Sequence, residues 1–379
     1  PTYTPDAVES IDVAELRRRD VSAIAALPEE RDPAWTLERL LSSPTIASKT
    51  WVYRQYDTTV RTNTVIGPGG DAAVVRVRGT DRALALKTDC NSRYVYLDPR
   101  LGAQIAVCEA ARNVACAGGR PMAVTNNLNF GNPRRPEVYY QLREAVRGMG
   151  EACEALGTPV TGGNVSLYNE NPNGAVYPTP VIGMVGLIES LMHVTPSAFQ
   201  AERDAIVLLG EPTGELGASE YLARIHGVVA GAPPACDLAR ERALVDALLE
   251  AIAGGVVRSA HDCSDGGLAV ALAECCVMDR RAPHGARVDL TAWRTLPARA
   301  VLFGEAQGRI VVSSPSPDTV VAIAKTHGIA ARVIGHVGGP DAPLHITTED
   351  AVLEASLARL DDAYHEAIPR AMARAVASQ

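Results

Sequence analysis

Between residues 101 and 187 the chain alternates two hydrophobic periods, and that alternation constrains its fold more than any other feature. Apolar side chains recur at helical spacing over residues 101–117 and stop at Gly118-Gly119, where glycine supplies a left-handed helix cap. Pro121-Met122-Ala123-Val124-Thr125 then reads as a strand. A second helical pattern covers residues 137–156 and ends at Gly157, Val160 opens a strand that leads into a glycine pair, and residues 177–187 form a last strand bounded by prolines. Helices and strands that each carry one apolar face must bury those faces against one another, which gives an α/β (α+β) fold. With only three Phe in 379 residues, the core is built mainly from Val, Leu, Ile and Ala.

Length predicts two or three domains. Residues 1–50 read as a linker with short helices, including a charged run at 15–20 and a helix around 33–41, with breaks at Pro28, Pro33 and Pro44. Residues 51–195 form a first α/β domain that opens with a hairpin: Ala72-Ala73-Val74-Val75-Arg76-Val77 and Ala83-Leu84-Ala85-Leu86-Lys87, joined by the turn Gly79-Thr80-Asp81. Residues 200–345 form a second α/β domain, with strands at 205–209, 310–313 and 331–334 and a helix at 237–253. Residues 346–379 read as a helical tail.

A net charge of -8 opposes long contact with a phosphate backbone, so nucleic acid is not an expected partner. The eight cysteines form no CxxC pair and mostly sit in apolar helical patterns, which suits reduced, buried thiols in the cytoplasm. No window approaches the ~20 apolar residues of a membrane span, and no signal-peptide pattern opens the chain. It begins at Pro1 and reads as the interior of a longer polypeptide.

Several polar clusters stand where strands end. In Thr161-Gly162-Gly163-Asn164-Val165-Ser166 two glycines free the backbone for close approach of a ligand, and Asn164 offers a hard oxygen suited to Mg²⁺; a Gly-Gly turn explains the segment equally well. Gly67-Pro68-Gly69-Gly70-Asp71 places a carboxylate at a glycine loop, as a metal ligand or as a turn residue capping its own backbone. Lys87-Thr88-Asp89-Cys90-Asn91 puts opposite charges at a strand end, as ligand contacts or a weak ion pair. The amides of Asn126-Asn127-Leu128-Asn129 suit adenine, ribose or metal-bound water, and also turns and an N-cap. His261-Asp262-Cys263-Ser264-Asp265 precedes an Ala-rich helix; capping by Ser264 or Asp265 is a simpler account than a Cys263–His261 nucleophile pair. Phe303-Gly304-Glu305-Ala306-Gln307-Gly308-Arg309 resembles a ligand-facing turn, and a buried Phe flanked by solvated charges explains it equally well.

Taken together, Tyr94-Val95-Tyr96-Leu97-Asp98-Pro99, Leu128-Asn129-Phe130-Gly131-Asn132-Pro133, the 161–170 segment, the 261–268 segment and the 303–310 segment resemble the second half of the small-type formylglycinamide ribonucleotide amidotransferases, the synthetase component of formylglycinamidine ribonucleotide synthase. The resemblance runs from about Tyr56 to His336. It implies the fold of aminoimidazole ribonucleotide synthetase: an N-terminal domain whose strands complete a barrel with a partner domain, then a C-terminal α/β domain. In the family this pair occurs twice, and this chain resembles the second copy.

The resemblance places ATP against Asn126 and Gly163, Mg²⁺ on Asn164 and the ribonucleotide near Ser166, with no catalytic residue in this half. Relatives carry an acid at the position of Asn126, and Asn113, Asn126 and Asn164 all stand where paired acids are expected in kindred enzymes. The implied reaction converts ATP, formylglycinamide ribonucleotide and ammonia into formylglycinamidine ribonucleotide, ADP and phosphate. Implied partners are the N-terminal half of the enzyme, a glutaminase subunit and a small accessory subunit, and exposed strand edges would make the isolated chain a homodimer. The alternatives are a nucleotide-holding structural half or another ATP-dependent enzyme of the same fold.

Overall fold

The computed structural model describes residues 27–28 and 32–377; the charged run at 15–20 lies outside them. Two mixed sheets organise the chain. The first contains β1 (Thr64–Ile66), β2 (Ala73–Arg76), β3 (Ala83–Asp89), β4 (Arg120–Asn129), β5 (Val160–Ser166) and, after the small hairpin β6 (Glu170–Asn171) and β7 (Gly174–Ala175), β8 (Thr179–Ile188). Its order is β1-β2-β3-β8-β4-β5, with β4 and β5 parallel and the other neighbours antiparallel. The expected hairpin is present, with Val74 opposite Ala85.

The two expected helices cover one face of this sheet. Ahead of them stand α1 (Pro33–Leu41), α2 (Thr50–Tyr53) and α3 (Ser92–Leu97); the covering helices are α4 (Pro99–Cys116) and α5 (Pro136–Leu156). Asp98 starts α4 by accepting the Leu101 N–H, and Pro99 fits its first turn. Gly118, at φ +92°, ends it where a Cβ would stand 2.0 Å from the His193 carbonyl oxygen, so only glycine fits. On β8 every second residue is buried against these helices, from Pro180 to Ile188. The other face stays open: Leu84 and Leu86 are exposed, whereas Ala83 and Ala85 beside them are buried. This sheet is not a closed barrel.

The second sheet contains β9 (Ala205–Leu209), β10 (Ser259–Asp262), β11 (Ala286–Asp289), β12 (Ile310–Ser314), β13 (Ala331–Val337), β14 (Leu344–Thr347) and β15 (Val352–Ala355), in the order β10-β12-β9-β13-β11-β14-β15. The chain adds α6 (Leu238–Ala253), α7 (Gly267–Val277), α8 (Ala298–Phe303), α9 (Pro317–Thr326), α10 (Leu357–His365) and α11 (Ala367–Ala377). Strands β9, β10 and β12 are buried on both faces; β9 is a continuous apolar run and β12 begins as one, whereas β10 carries the buried His261 and Asp262. Strands β11, β14 and β15 alternate, with one face buried.

Two sequence expectations change. The helix expected around 33–41 is present as α1, but its Leu37, Leu40 and Leu41 are fully buried in the core shared with α7, so it belongs to the second domain's packing and not to a linker. The tail read as helical opens with β15, where Leu353 and Ala355 point inward at period two; helix resumes only at Leu357. Helix propensity lost there to a strand edge that needed a partner. No described helix is long and apolar enough to cross a membrane.

The domains share one core, in which Val107 and Val114 of α4 join Leu244 and Leu248 of α6. At its centre the fully buried Arg112 donates to Asp262 (2.6 Å), Glu241 (2.8 Å) and Gln307 (2.9 Å), all from the second domain. Breaking a buried pair by removing one partner costs about 3–5 kcal/mol. Arg112→Met is therefore expected to lower the urea midpoint by that equivalent, followed by far-UV circular dichroism, whereas Arg82→Met, in an exposed pair with Glu189, changes it by less than about 1 kcal/mol.

Candidate functional site

The four residues assigned from the resemblance lie on β4 and β5. The 161–166 segment is the edge strand β5 rather than a turn: neither Gly162 nor Gly163 has a positive φ, and Asn126, Asn127 and Asn129 stand opposite Gly163, Asn164 and Ser166. Strand alternation then divides them. Asn126, between the buried Val124 and Leu128, faces α5, where its amide approaches Met149 Sδ at 3.5 Å. A Cβ on Gly163 would stand 2.1 Å from Asn126 Oδ1, so the missing side chain is what lets Asn126 lie there. Asn164 is on the opposite, open face; its Nδ2 donates to Asn127 Oδ1 (3.0 Å) and Ser166 Oγ (3.1 Å), leaving Oδ1 turned to solvent. The structure thus joins Asn126 with Gly163 and Asn164 with Ser166, one pair on each face.

A second set of residues converges where the two domains meet, in a cavity of about 750 Å³. Lys87 and Asp89 reach it from β3, Glu109 and Asn113 from α4, Asp265 from the loop before α7, and Lys49 from the turn before α2. Burial disfavours the charge of Lys87, but Asp89, Asp71 and Glu109 more than offset this and raise its pKa. Burial pushes the Asp89 carboxyl up to about 6 against the pull of Lys87, which is 4.0 Å away. Asp89 Oδ2 is buried with no hydrogen-bond partner. Burial also lifts Glu109 well above the usual carboxylate range, helped by repulsion from Asp89. Sequence reading singled out Lys87 and Asp89 and passed over Lys49 and Glu109; a lone Glu inside the apolar run of α4 was the available signal.

Other candidates resolve into structural roles. Asp71 accepts from Ser197 Oγ, His261 Nδ1 (2.8 Å) and the Asp262 N–H (3.0 Å), which saturates it as an anchor between the domains. His261 Nε2 meets Glu274 at 3.1 Å, so both its ring nitrogens are engaged away from Cys263. Burial pushes the Cys263 thiol up to about 11, the reverse of nucleophile activation. Neither Ser264 nor Asp265 caps α7: Gly266 is the N-cap, and the Glu305 carboxylate accepts its N–H and that of Glu220. Glu305 and Arg309 are buried, correcting the expectation of solvated charges. All eight cysteines are free and six are buried. Among the described residues no three His, Cys, Asp or Glu side chains form a metal-holding group.

Comparison with known proteins gives matches along nearly the whole chain. Residues 69–188 match the AIR synthase related protein, N-terminal domain, and residues 202–343 match the AIR synthase related protein, C-terminal domain. The phosphoribosylformylglycinamidine synthase subunit PurL of Moorella thermoacetica is 49% identical over 376 residues, covering 99% of this chain and 50% of the relative. The chain spans about half the length of the curated relatives it matches. Among solved structures, Thermotoga maritima PurL complexed with FGAR superposes with a TM-score of 0.70 at 20% identity, over 93% of this chain and 57% of that one. The same protein complexed with ADP gives 0.69 at 20% identity, over 89% and 53%. At that identity the structures show a shared fold.

Two stability predictions follow from this geometry. Gly163→Ala forces Asn126 aside and costs about 1–3 kcal/mol, whereas Gly162→Ala, which meets nothing within 4 Å, changes stability by less than about 0.5 kcal/mol; urea midpoints of the two variants decide it. Asp89 has a folded pKa near 6 against an ordinary 3.8, so the folded state binds its proton more tightly, and this group destabilises the fold increasingly as pH rises from 4 through 6. Asp89→Asn should raise the unfolding midpoint by roughly 1–3 kcal/mol at pH 8 and by nothing near pH 4; an equal gain at both pH values refutes the assignment.

Proposed function

Since the chain belongs to the AIR synthase related proteins, carrying both domains of that family in order, we propose that it is the C-terminal half of a phosphoribosylformylglycinamidine synthase and forms one wall of that enzyme's active site. The observation that carries this reading is the open face of the first sheet, on which the exposed Asn164 donates a hydrogen bond to the half-buried Ser166 at an edge strand. A sheet with an apolar face and an unpaired edge needs a partner, and the missing half, by closing a barrel there, covers both. The isolated chain would cover them with a second copy of itself.

In the assembled enzyme ATP, formylglycinamide ribonucleotide and ammonia, the last from a glutaminase subunit held with a small accessory subunit, give formylglycinamidine ribonucleotide, ADP and phosphate. This half positions groups and supplies no catalytic base. Asn164 fits a Mg²⁺ ligand in one respect: its amide nitrogen is occupied, so its carbonyl oxygen faces outward. One neutral oxygen does not hold the ion alone, so phosphate oxygens, water and the other half complete the set. When bound, Mg²⁺ offsets negative charge on the transferring phosphoryl group. Ser166, beside it, offers a hydroxyl to the ribonucleotide, while the side chain of Asn126, turned to α5 over Gly163, does not reach ATP on the open face as the resemblance implied and instead sets the register of β5 on β4.

The test is ammonia-dependent product formation by this chain alone and with the N-terminal half added. Activity is expected only in the mixture, and Asn164→Ala should raise the Mg²⁺ concentration needed for half-maximal rate about tenfold. Full activity of the chain alone overturns the half-site reading, and unchanged metal dependence removes the role of Asn164. Static light scattering showing a monomer would remove the self-paired form.

The interdomain cavity favours a second reading, in which this half also holds a nucleotide structurally. Its size suits one, Lys49 and Lys87 supply positive charge, and the orphaned Asp89 Oδ2 and the Asn113 amide offer oxygens for a nucleotide-bound Mg²⁺. Calorimetric titration with ADP and Mg²⁺ is expected to show one site, weakened at least about tenfold in a folded Lys87→Ala variant. Unaltered affinity in that variant excludes the cavity.

A further inference from the structure

The second sheet has a groove of about 620 Å³ on its solvent side, lined by Arg287, Asp289, Arg332, Val333 and His336 among others. It forms where helix cover ends: α9 packs on β9 and β13, while Arg287 and Asp289 on the next strand stay exposed.

Strand pairing gathers the basic side chains of this groove. Arg287 and His336 stand directly opposite on β11 and β13, and on its other side Arg287 stands beside His345 of β14. One guanidinium therefore sits between two imidazoles in adjacent positions across three strands, all able to donate hydrogen bonds. Only His345 has a carboxylate, Glu354 at 2.9 Å. Arg287, Arg332 and His336 have no hydrogen bond or ion pair among the described residues, and Asp289, the groove's own carboxylate, is turned to the Thr291 N–H and hydroxyl. Some exposed arginines pair with acids, as Arg280 does with Asp361 and Arg359 with Glu38, and others, such as Arg203 and Arg294, stand alone on the surface among the described residues; what sets Arg287 and Arg332 apart is that both line one groove. With 44 acidic against 36 basic residues, a patch of unpaired cations runs against the composition.

The backbone shapes the patch as well. The register of β13 shifts between Val333 and Gly335, so the alternation resets and both Arg332 and Val333 face outward. Gly335 permits this: a Cβ there would stand 2.0 Å from the Arg287 carbonyl oxygen. Arg332 then lies over the Trp293 ring, 5.8 Å from its centroid, which fixes the guanidinium plane at the groove's rim.

We propose that this groove binds a phosphorylated small molecule, its phosphate held by Arg287, Arg332 and His336. Two guanidinium forks match phosphate oxygens in paired hydrogen bonds, and the volume accommodates a ligand of nucleotide size with Val333 against its apolar part. The site is remote in sequence and element from the open face of the first sheet and from the interdomain cavity, and does not depend on the function proposed for either.

Trp293 reports on the site. In a Trp35→Phe, Trp51→Phe background, titration with inorganic phosphate or pyrophosphate at constant ionic strength should change Trp293 emission saturably, and ³¹P line broadening should follow the same curve. Measured in a Lys87→Ala background, which removes phosphate binding in the interdomain cavity, Arg287→Gln should weaken binding about tenfold or more, and Arg287→Gln with Arg332→Gln should abolish the ³¹P broadening; Arg82→Gln, in an exposed pair with Glu189, should leave both unaltered. A response that is linear and matched by sodium chloride overturns the proposal. So does ³¹P broadening that survives in the double variant, or capture of a poly-glutamate peptide without any saturable response to phosphate, which would make the groove a protein-docking surface.

Discussion

The fold depends on one buried cation. Arg112 sits in the middle of α4, a helix with almost no exposed side chain, and has no route to water. Desolvation of its guanidinium is outweighed by Asp262 and Glu241, which hold its pKa well above the ordinary value. Because both carboxylates and Gln307 belong to the second domain, the first domain's central helix satisfies its charge only when the two domains are docked. The cavity beside it inherits that geometry: Asn113, one residue along α4, donates to Asp262 as well (3.4 Å), and Glu109 lies one turn earlier. A large share of the buried charge in this chain is thus concentrated along one helix edge.

That arrangement explains why acids collect where they repel. Asp89, Glu109 and Asp265 all have raised pKa values, each chiefly through burial. Glu305, lifted to about 8, is tolerated because it accepts hydrogen bonds from Tyr94 and two backbone N–H groups. Asp71 is the contrast: equally buried, it is held below the ordinary range because His261, Ser197 and the Asp262 N–H outweigh its desolvation. A carboxylate with every oxygen satisfied is an anchor. One left with an oxygen that lacks a hydrogen bond, as Asp89 is with Lys87 Nζ 4.0 Å away, is suited to a cation that approaches more closely.

Much of this was legible in the sequence. The hairpin of β2 and β3, the helices α4 and α5 and the strand β9 declare themselves by period, because each buries one face or both and their ends carry Gly or Pro. What stayed hidden depended on long-range packing. Nothing local distinguishes α1 from a linker helix until Leu37, Leu40 and Leu41 meet α7, and the 352–355 segment became strand because β14 offered a free edge. Gly162-Gly163 resembles a turn in isolation; the parallel pairing with β4 makes it strand. The groove was invisible for the same reason, since Arg287 and His336 are 49 positions apart and become neighbours only across β11 and β13.

The division of β4 and β5 between two faces bears on how an amide can stand at position 126. A side chain that faces α5 and lies over Gly163 touches the open face only through the backbone it aligns. Its consequence is the register that puts Asn164 opposite Asn127, and that register requires a small neighbour at 163 more than it requires a charge at 126. An acid so near the Met149 sulfur would be desolvated without a cation to answer it, whereas an amide carries no net charge to desolvate. An amide at 126 therefore fits a strand pair whose alignment is set by packing and not by charge.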